Sequence, residues 1–286
     1  MTETRPNRLL VLLGAVALLL ALVPPLGASA QTTGFPSVGT DFADDGPYDT
    51  DRYRTSSHTF YHPSDLGEAG VRHPVILWGN GTGASPTTYA SFLRHLASHG
   101  FIVAAANTAY AGTGTAMLAG LDELERLDGS TLSRFGGHVD LDNVAATGHS
   151  QGGGGAIETA PDPRVDTIFP LQPWRGTASA VDVPAIYFSG GSDRIVSARS
   201  VERAFGNSSG PAVYAELRGA GHFVPTGSAG DYRGPATAWA RWFLMGDEDA
   251  EQVFLGDGCE LCGGGWLPTW SDYQQNSDWD AAPGPN

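Results

Sequence analysis

The chain is predicted to fold as an α/β protein, a mostly parallel central sheet with helices on both faces, and three observations predict it. Short apolar runs alternate with stretches of helical period between residues 57 and 246, the order that joins parallel strands through crossover helices. The runs are apolar at nearly every position, as in strands covered on both faces. A glycine-rich turn, "GHSQGGGG" at 148–155, is entered through Val144, Ala145, Ala146 and Thr147 and left through Ala156 and Ile157, so it links a strand to a helix inside the body.

Taken in order, "SHTFY" at 57–61 is the first expected strand, and "PVILW" at 74–78 is a second that breaks at "GNGTG". A helix follows in "TTYASFLRHLASHG", where Tyr89, Phe92, Leu93 and Leu96 recur at helical spacing and Gly100 supplies the stop. "FIVAAA" at 101–106 is the next strand. "TAMLAGLDELERL" at 115–127 places Met117, Leu118, Leu121, Leu124 and Leu127 on one face with acidic residues opposite, which predicts a helix. Beyond "VAATG" come a helix over 152–159, strands at 165–169 and 184–189, a helix near 197–205, a strand at 212–217 and a closing helix at 234–246. The segment after Gly263 carries Trp266, Trp270, Tyr273 and Trp279 among Pro, Ser, Asp and Asn. It reads as a polar tail, residues 263–286, wrapping over the body rather than as a core element.

The first thirty residues are read as a leader. Arg5 and Arg8 precede an apolar run from Leu9 to Val23, short for a bilayer span, and "ASA" at 28–30 offers small residues for cleavage after Ala30. The expected mature chain has 256 residues (286 − 30), with its catalytic domain over 31–262. It carries 14 arginines, no lysine and 30 acidic residues, a formal charge of −16. That sign disfavours nucleic acid and anionic membranes as partners. No membrane anchor is expected, and the chain is expected to be a monomer.

The chemistry centres on one serine. The absence of lysine excludes a Walker-type phosphate loop, whereas Gly148-His149-Ser150-Gln151-Gly152 matches G-x-S-x-G in the strand–turn–helix context that gives the motif meaning. A serine hydroxyl needs a base. His222, in "LRGAGHFVP", follows a strand and a small-residue turn. His149 adjoins the serine and points away from it; with Phe223 it is assigned to the substrate-binding wall, whereas Trp174, an aromatic after a proline at a strand end, stands where either packing or binding would serve. His58, His62 and His73 precede the sheet centre, and His95, His99 and His138 read as solvated histidines. An acid must fix the tautomer of the base. Asp193, in "YFSGGSDRIVS", lies just past a strand and between serine and histidine in chain order, whereas Asp182 and Asp231 read as solvated loop acids. For the oxyanion, Gln151 offers its amide as the residue after the nucleophile, and "WGNGTGA" at 78–84 offers a second at Gly81 or Thr82. Cys259 and Cys262, the only cysteines, are expected to form a short-loop disulfide, since two thiolates alone make a poor zinc site.

"GHSQGGGG", "LQPWRG" at 171–176, "GGSDRIV" at 190–196 and "GAGHFVP" at 219–225 resemble blocks of bacterial cutinases and polyethylene terephthalate hydrolases, secreted polyesterases of the α/β-hydrolase superfamily. "YASFLRHLASHGFIV" and "WARWFLMGDEDAEQVFLGDGC" extend the resemblance over roughly residues 55–262. It implies an α/β-hydrolase fold without a lid domain, and it places Trp174 against the acyl part of the substrate. Three departures stand out: Gln151 occupies the usual methionine position, "NGTG" lacks the family's oxyanion-loop aromatic, and the two cysteines are closer than the family's usual pair. The expectation is a secreted serine carboxylester hydrolase acting on polyesters or bulky esters, with no metal or organic cofactor required. A small-molecule esterase or lipase is the alternative enzyme, and a non-catalytic secreted binding protein the alternative of another class. Dienelactone hydrolase-like chemistry would call for cysteine at position 150.

Overall fold

In the computed structural model, residues 1–2, 34–67, 70–174, 181–255, 259, 261–262 and 269–279 are described. Beyond Met1 and Thr2, the expected leader and its cleavage point lie outside them, as does Trp266. Residues 32–286 form one unit, built on a nine-stranded sheet with the order β1-β2-β4-β3-β5-β6-β7-β8-β9. The strands are β1 (Thr50–Arg54), β2 (His58–Pro63), β3 (His73–Gly79), β4 (Ile102–Ala106), β5 (Val139–Gly148), β6 (Thr167–Ile168), β7 (Ala185–Gly190), β8 (Ala212–Leu217) and β9 (Trp270–Gln275). From β4 through β8 neighbouring strands are parallel; β1, β2 and β9 pair antiparallel.

The central strands are buried on both faces because successive side chains serve opposite cores. On β3, Ile76 and Trp78 pack into one cluster and Val75 and Leu77 into the other. The first cluster is closed by α1 (Ala90–Ser98), through Phe92, Leu93 and Leu96, and by α5 (Arg233–Met245), through Trp239 and Phe243. The second is closed by α2 (Thr115–Asp128), α3 (Gln151–Thr159) and α4 (Ala198–Gly206), which contribute Met117, Leu121, Ile157, Val201 and Phe205. A one-turn helix, α6 (Glu248–Glu251), follows α5, and Asp247 caps it by accepting the Asp249 amide. No separate lid domain is present among the described residues, and no helix among them is long and apolar enough to cross a membrane.

Three features depart from the sequence reading. The segment after Gly263 is not merely a wrapping tail: β9 completes the sheet against β8, and Trp279 packs on Trp239 with centroids 5.7 Å apart. An edge strand needs only one buried face, so Ser271 and Asp272 are tolerated outside while Trp270 is buried. The same reason hides β1, whose "TDRYR" is almost wholly exposed. Finally, His95 and His99 are buried rather than solvated. His95 Nε2 and Thr237 Oγ1 are hydrogen-bonded at 2.9 Å, and His99 Nε2 donates to the Asp44 carbonyl at 3.0 Å, so both rings anchor the segment that precedes β1 and helix α5 to α1.

Candidate active site

The site forms at the carboxyl ends of β3, β5, β7 and β8, in the loops by which the chain leaves these strands. Between β5 and α3 it turns so sharply that Ser150 adopts φ 56° and ψ −118°, left-handed backbone that a non-glycine residue holds only under constraint. The constraint is visible on both sides. Ser150 N–H donates to the Leu171 carbonyl at 3.0 Å, and its own carbonyl accepts from Trp174 N–H at 2.8 Å. Glycine is required at 152, because a Cβ there would stand 2.0 Å from the Gly79 carbonyl oxygen of β3.

The loops after β7 and β8 bring Asp193 and His222 to this serine. His222 Nε2 lies 2.9 Å from Ser150 Oγ, and its Nδ1 lies 2.7 Å from Asp193 Oδ2. The other carboxylate oxygen of Asp193 accepts the Ile195 and Val196 amides, each at 2.8 Å. All three side chains are buried to within 8% relative exposure. Such a chain can draw the serine proton onto the imidazole while the carboxylate, already saturated with donors, holds the ring in one orientation. Asp182 and Asp231, the other acids weighed, are exposed.

Of the two candidates in the loop after β3, Gly81 N–H is already engaged, donating to Tyr89 Oη at 3.1 Å. Gly83 and Ala84 amides are also taken, by the carbonyls of Ala109 and Gly81. The Thr82 amide and the Gln151 amide have no acceptor among the described residues, which leaves this pair available to a developing oxyanion.

Around the serine lies an open cleft of about 410 Å³, lined by Thr82, His149, Trp174, Ile195 and Phe223 among others. Trp174, Ile195 and Phe223 remain 41%, 50% and 68% exposed, an apolar rim rare on this surface. A second hollow of about 520 Å³ shares Trp174 and Ile195 with the cleft and adds Arg194 and Arg203. His149 forms part of the wall but is itself buried, its pKa lowered to about 4, chiefly by desolvation and next by the neighbouring His222. Tyr89, read from the sequence only as an apolar helix residue, turns its hydroxyl into this wall. Its polar partner is sixty positions away, so no local pattern announces it. Cys259 and Cys262 are disulfide-bonded, and neither lines the cleft. Among the described residues no group of three or more His, Cys, Asp or Glu side chains is arranged to hold a metal ion.

The comparisons with known proteins agree with this architecture. The PET hydrolase-like family matches residues 30–263. The bis(hydroxyethyl) terephthalate hydrolase of Streptomyces coelicolor is 28% identical over 272 residues, covering 86% of each chain. Cutinase est2 of Thermobifida alba is 29% identical over 228 residues, 76% of this chain and 71% of that one. Cutinase est1 of the same organism is 30% identical over 202 residues, 67% of this chain and 65% of that one. With a family match over most of its length and an α/β-hydrolase sheet beneath the site, the chain belongs to the PET hydrolase-like family and is a carboxylic ester hydrolase.

Proposed function

We propose that this chain is a secreted serine hydrolase of polyesters or bulky esters, with Ser150 as nucleophile, His222 as general base and acid, and Asp193 as the orienting carboxylate. The observation that carries the reading is the hydrogen-bonded line Ser150–His222–Asp193 beneath an open, apolar-rimmed cleft. Ser150 Oγ forms a bond to the ester carbonyl carbon as its proton passes to His222 Nε2. The carbonyl electron pair moves onto oxygen, where the Thr82 and Gln151 amides receive it. Collapse breaks the bond to the leaving alkoxide, which takes the proton from His222. Water repeats the sequence on the acyl-enzyme, delivering its proton to His222 and releasing the carboxylic acid and free serine.

The substrate class rests on the cleft. Trp174, Ile195 and Phe223 offer apolar surface at the rim without burying the whole ligand, which suits a chain lying across the surface better than a small enclosed ester. The names of the relatives, a bis(hydroxyethyl) terephthalate hydrolase and two cutinases, point the same way. Secretion is supported by the leader-like residues 1–30, and a monomer is proposed because Ser150, His222 and Asp193 all come from one chain.

The test is release of soluble acid from polyester film by the purified chain and by Ser150→Ala, alongside turnover of a chromogenic short ester. Wild-type protein is expected to act on both, and folded Ser150→Ala on neither. Full turnover by Ser150→Ala removes the nucleophile assignment. Good short-ester turnover with no film release replaces the polyester reading by the small-ester one.

A further inference from the structure

We propose that Tyr89 and His149 form a buried positioning relay that locks the oxyanion loop to the loop carrying the catalytic base. The relay rests on the ester-hydrolase reading above and adds to it two residues that take no part in the bond-making and proton-transfer steps of the proposed reaction. Three hydrogen bonds compose it: Gly81 to Tyr89 at 3.1 Å, Tyr89 to His149 Nδ1 at 2.9 Å, and His149 Nε2 to the His222 carbonyl at 2.8 Å.

The direction of every bond follows from the ends. The His222 carbonyl can only accept, so His149 Nε2 carries the hydrogen. A neutral imidazole then has its lone pair on Nδ1, and the Tyr89 hydroxyl donates to it. The Tyr89 oxygen, having given its hydrogen away, accepts from the Gly81 N–H. All donors and acceptors are matched with no alternative assignment, and Tyr89 and His149 are 1% and 3% exposed, so water does not compete. Burial keeps His149 neutral, as its lowered pKa indicates, and raises that of the Tyr89 phenol.

What the relay holds is the backbone on either side of the reacting centre. Gly81 immediately precedes Thr82, the amide left free for the oxyanion, and the carbonyl at the far end belongs to the base itself. Oxyanion stabilisation depends on donors fixed within tenths of an ångström of where the charge appears, and the loop "NGTGA" has no regular structure to fix it. Gly81 has to be glycine for the contact to close. A Cβ at that position would stand 2.8 Å from Tyr89 Oη and 3.1 Å from His149 Nδ1.

The experiment measures kcat and KM on a soluble ester, and inhibition by an alkyl boronic acid that forms a tetrahedral adduct on serine, for wild type, Tyr89→Phe and Gly81→Ala, with folding checked by circular dichroism. Loosened oxyanion donors act on the tetrahedral state alone, so kcat is expected to fall by at least about tenfold and the boronate inhibition constant to rise in step, with KM within about threefold. Because the added methyl of Gly81→Ala meets the hydroxyl that Tyr89→Phe deletes, the double variant is expected to be no worse than Gly81→Ala alone. Mere packing damage would lower melting temperature without moving kcat and boronate affinity together. Folded variants whose kcat stays within about twofold of wild type, or whose losses multiply in the double variant, overturn the relay while leaving the hydrolase reading intact. If Tyr89→Phe does not fold, Gly81→Ala decides by the same kcat and boronate criterion. A wild-type chain without esterase activity sinks both.

Discussion

The backbone N–H of Trp174 donates to the carbonyl of Ser150 at 2.8 Å, so the exposed indole at the cleft rim and the nucleophile are tied through a single hydrogen bond. Trp174 is 41% exposed and lines the cleft beside Ser150, where its ring is expected to meet the acyl part of a bound ester. Trp174→Ala is expected to lower polyester-film hydrolysis by up to about tenfold, the equivalent of an aromatic contact of roughly 0.5–1.5 kcal/mol. A two-carbon acyl ester, which scarcely reaches that wall, should lose far less. Parallel assays on film and on the acetate ester check this; equal losses would make the tryptophan a packing residue. Aliphatic film should be attacked faster than semicrystalline polyethylene terephthalate, since Thr82 supplies no ring to grip an aromatic unit.

Asp193→Asn should cost about three to four orders of magnitude in kcat with little change in fold. The Ile195 and Val196 amides will claim the amide oxygen of the asparagine, turning its NH₂ toward His222 Nδ1. That nitrogen must then accept, so the ring hydrogen moves to Nε2 and faces Ser150, where a proton acceptor is needed. Steady-state kinetics, with circular dichroism as the control for fold, decide the matter. A variant with near wild-type kcat would remove Asp193 from its role.

The Cys259–Cys262 disulfide closes a loop with a sequence separation of three. Loop-entropy reasoning allows it about 2 kcal/mol at most. The double variant Cys259→Ser/Cys262→Ser should therefore show a modest fall in urea midpoint and unchanged ester turnover, because neither cysteine lines the cleft. A large loss of kcat would contradict that separation.

Stability should fall as pH drops below neutrality, before the carboxylates titrate. Burial holds His95 down to about 3, outweighing the attraction of Asp45, and holds His99 and His149 down to about 4, against an ordinary value of 6.5. The unfolded chain takes up protons on these rings near pH 6.5 and the folded chain does not. Their contribution is thus complete above that value and is lost as pH falls toward the folded-state values. At pH 5 each ring costs about 2 kcal/mol relative to neutral pH. Urea midpoints at pH 7.5 and pH 5 test the sign; a flat profile would mean that these rings are not held neutral.

Trp279→Ala should destabilise the fold by about 3–5 kcal/mol, the range for emptying a large aromatic site. Trp279 is buried against Trp239 and Trp242, two residues of α5, so its loss opens a cavity under the helix that closes one face of the sheet. Denaturant unfolding measures the effect. A change below about 1 kcal/mol would place the residue outside the core.

Much of this was legible in order along the chain. The runs at 74–78, 101–106, 184–189 and 212–217 announce buried strands because a strand covered on both faces has no polar position to spare. G-x-S-x-G announces its own turn because only glycine fits against the neighbouring strand there. Asp193 and His222 could be proposed by their place just past a strand, a local property, and by their order after Ser150, which is legible along the chain. What the tertiary structure decided is what depends on partners far away in the chain. It paired the polar segment at 270–275 with β8, since an edge strand is stabilised by backbone hydrogen bonds that carry no side-chain signature. It buried His95 and His99, whose partners at Thr237 and Asp44 come from opposite ends of the domain. It also took the Gly81 amide for Tyr89 and left Thr82 free, a choice between adjacent peptide groups that residue identity cannot express, because every non-proline residue brings the same N–H and only folding aims it.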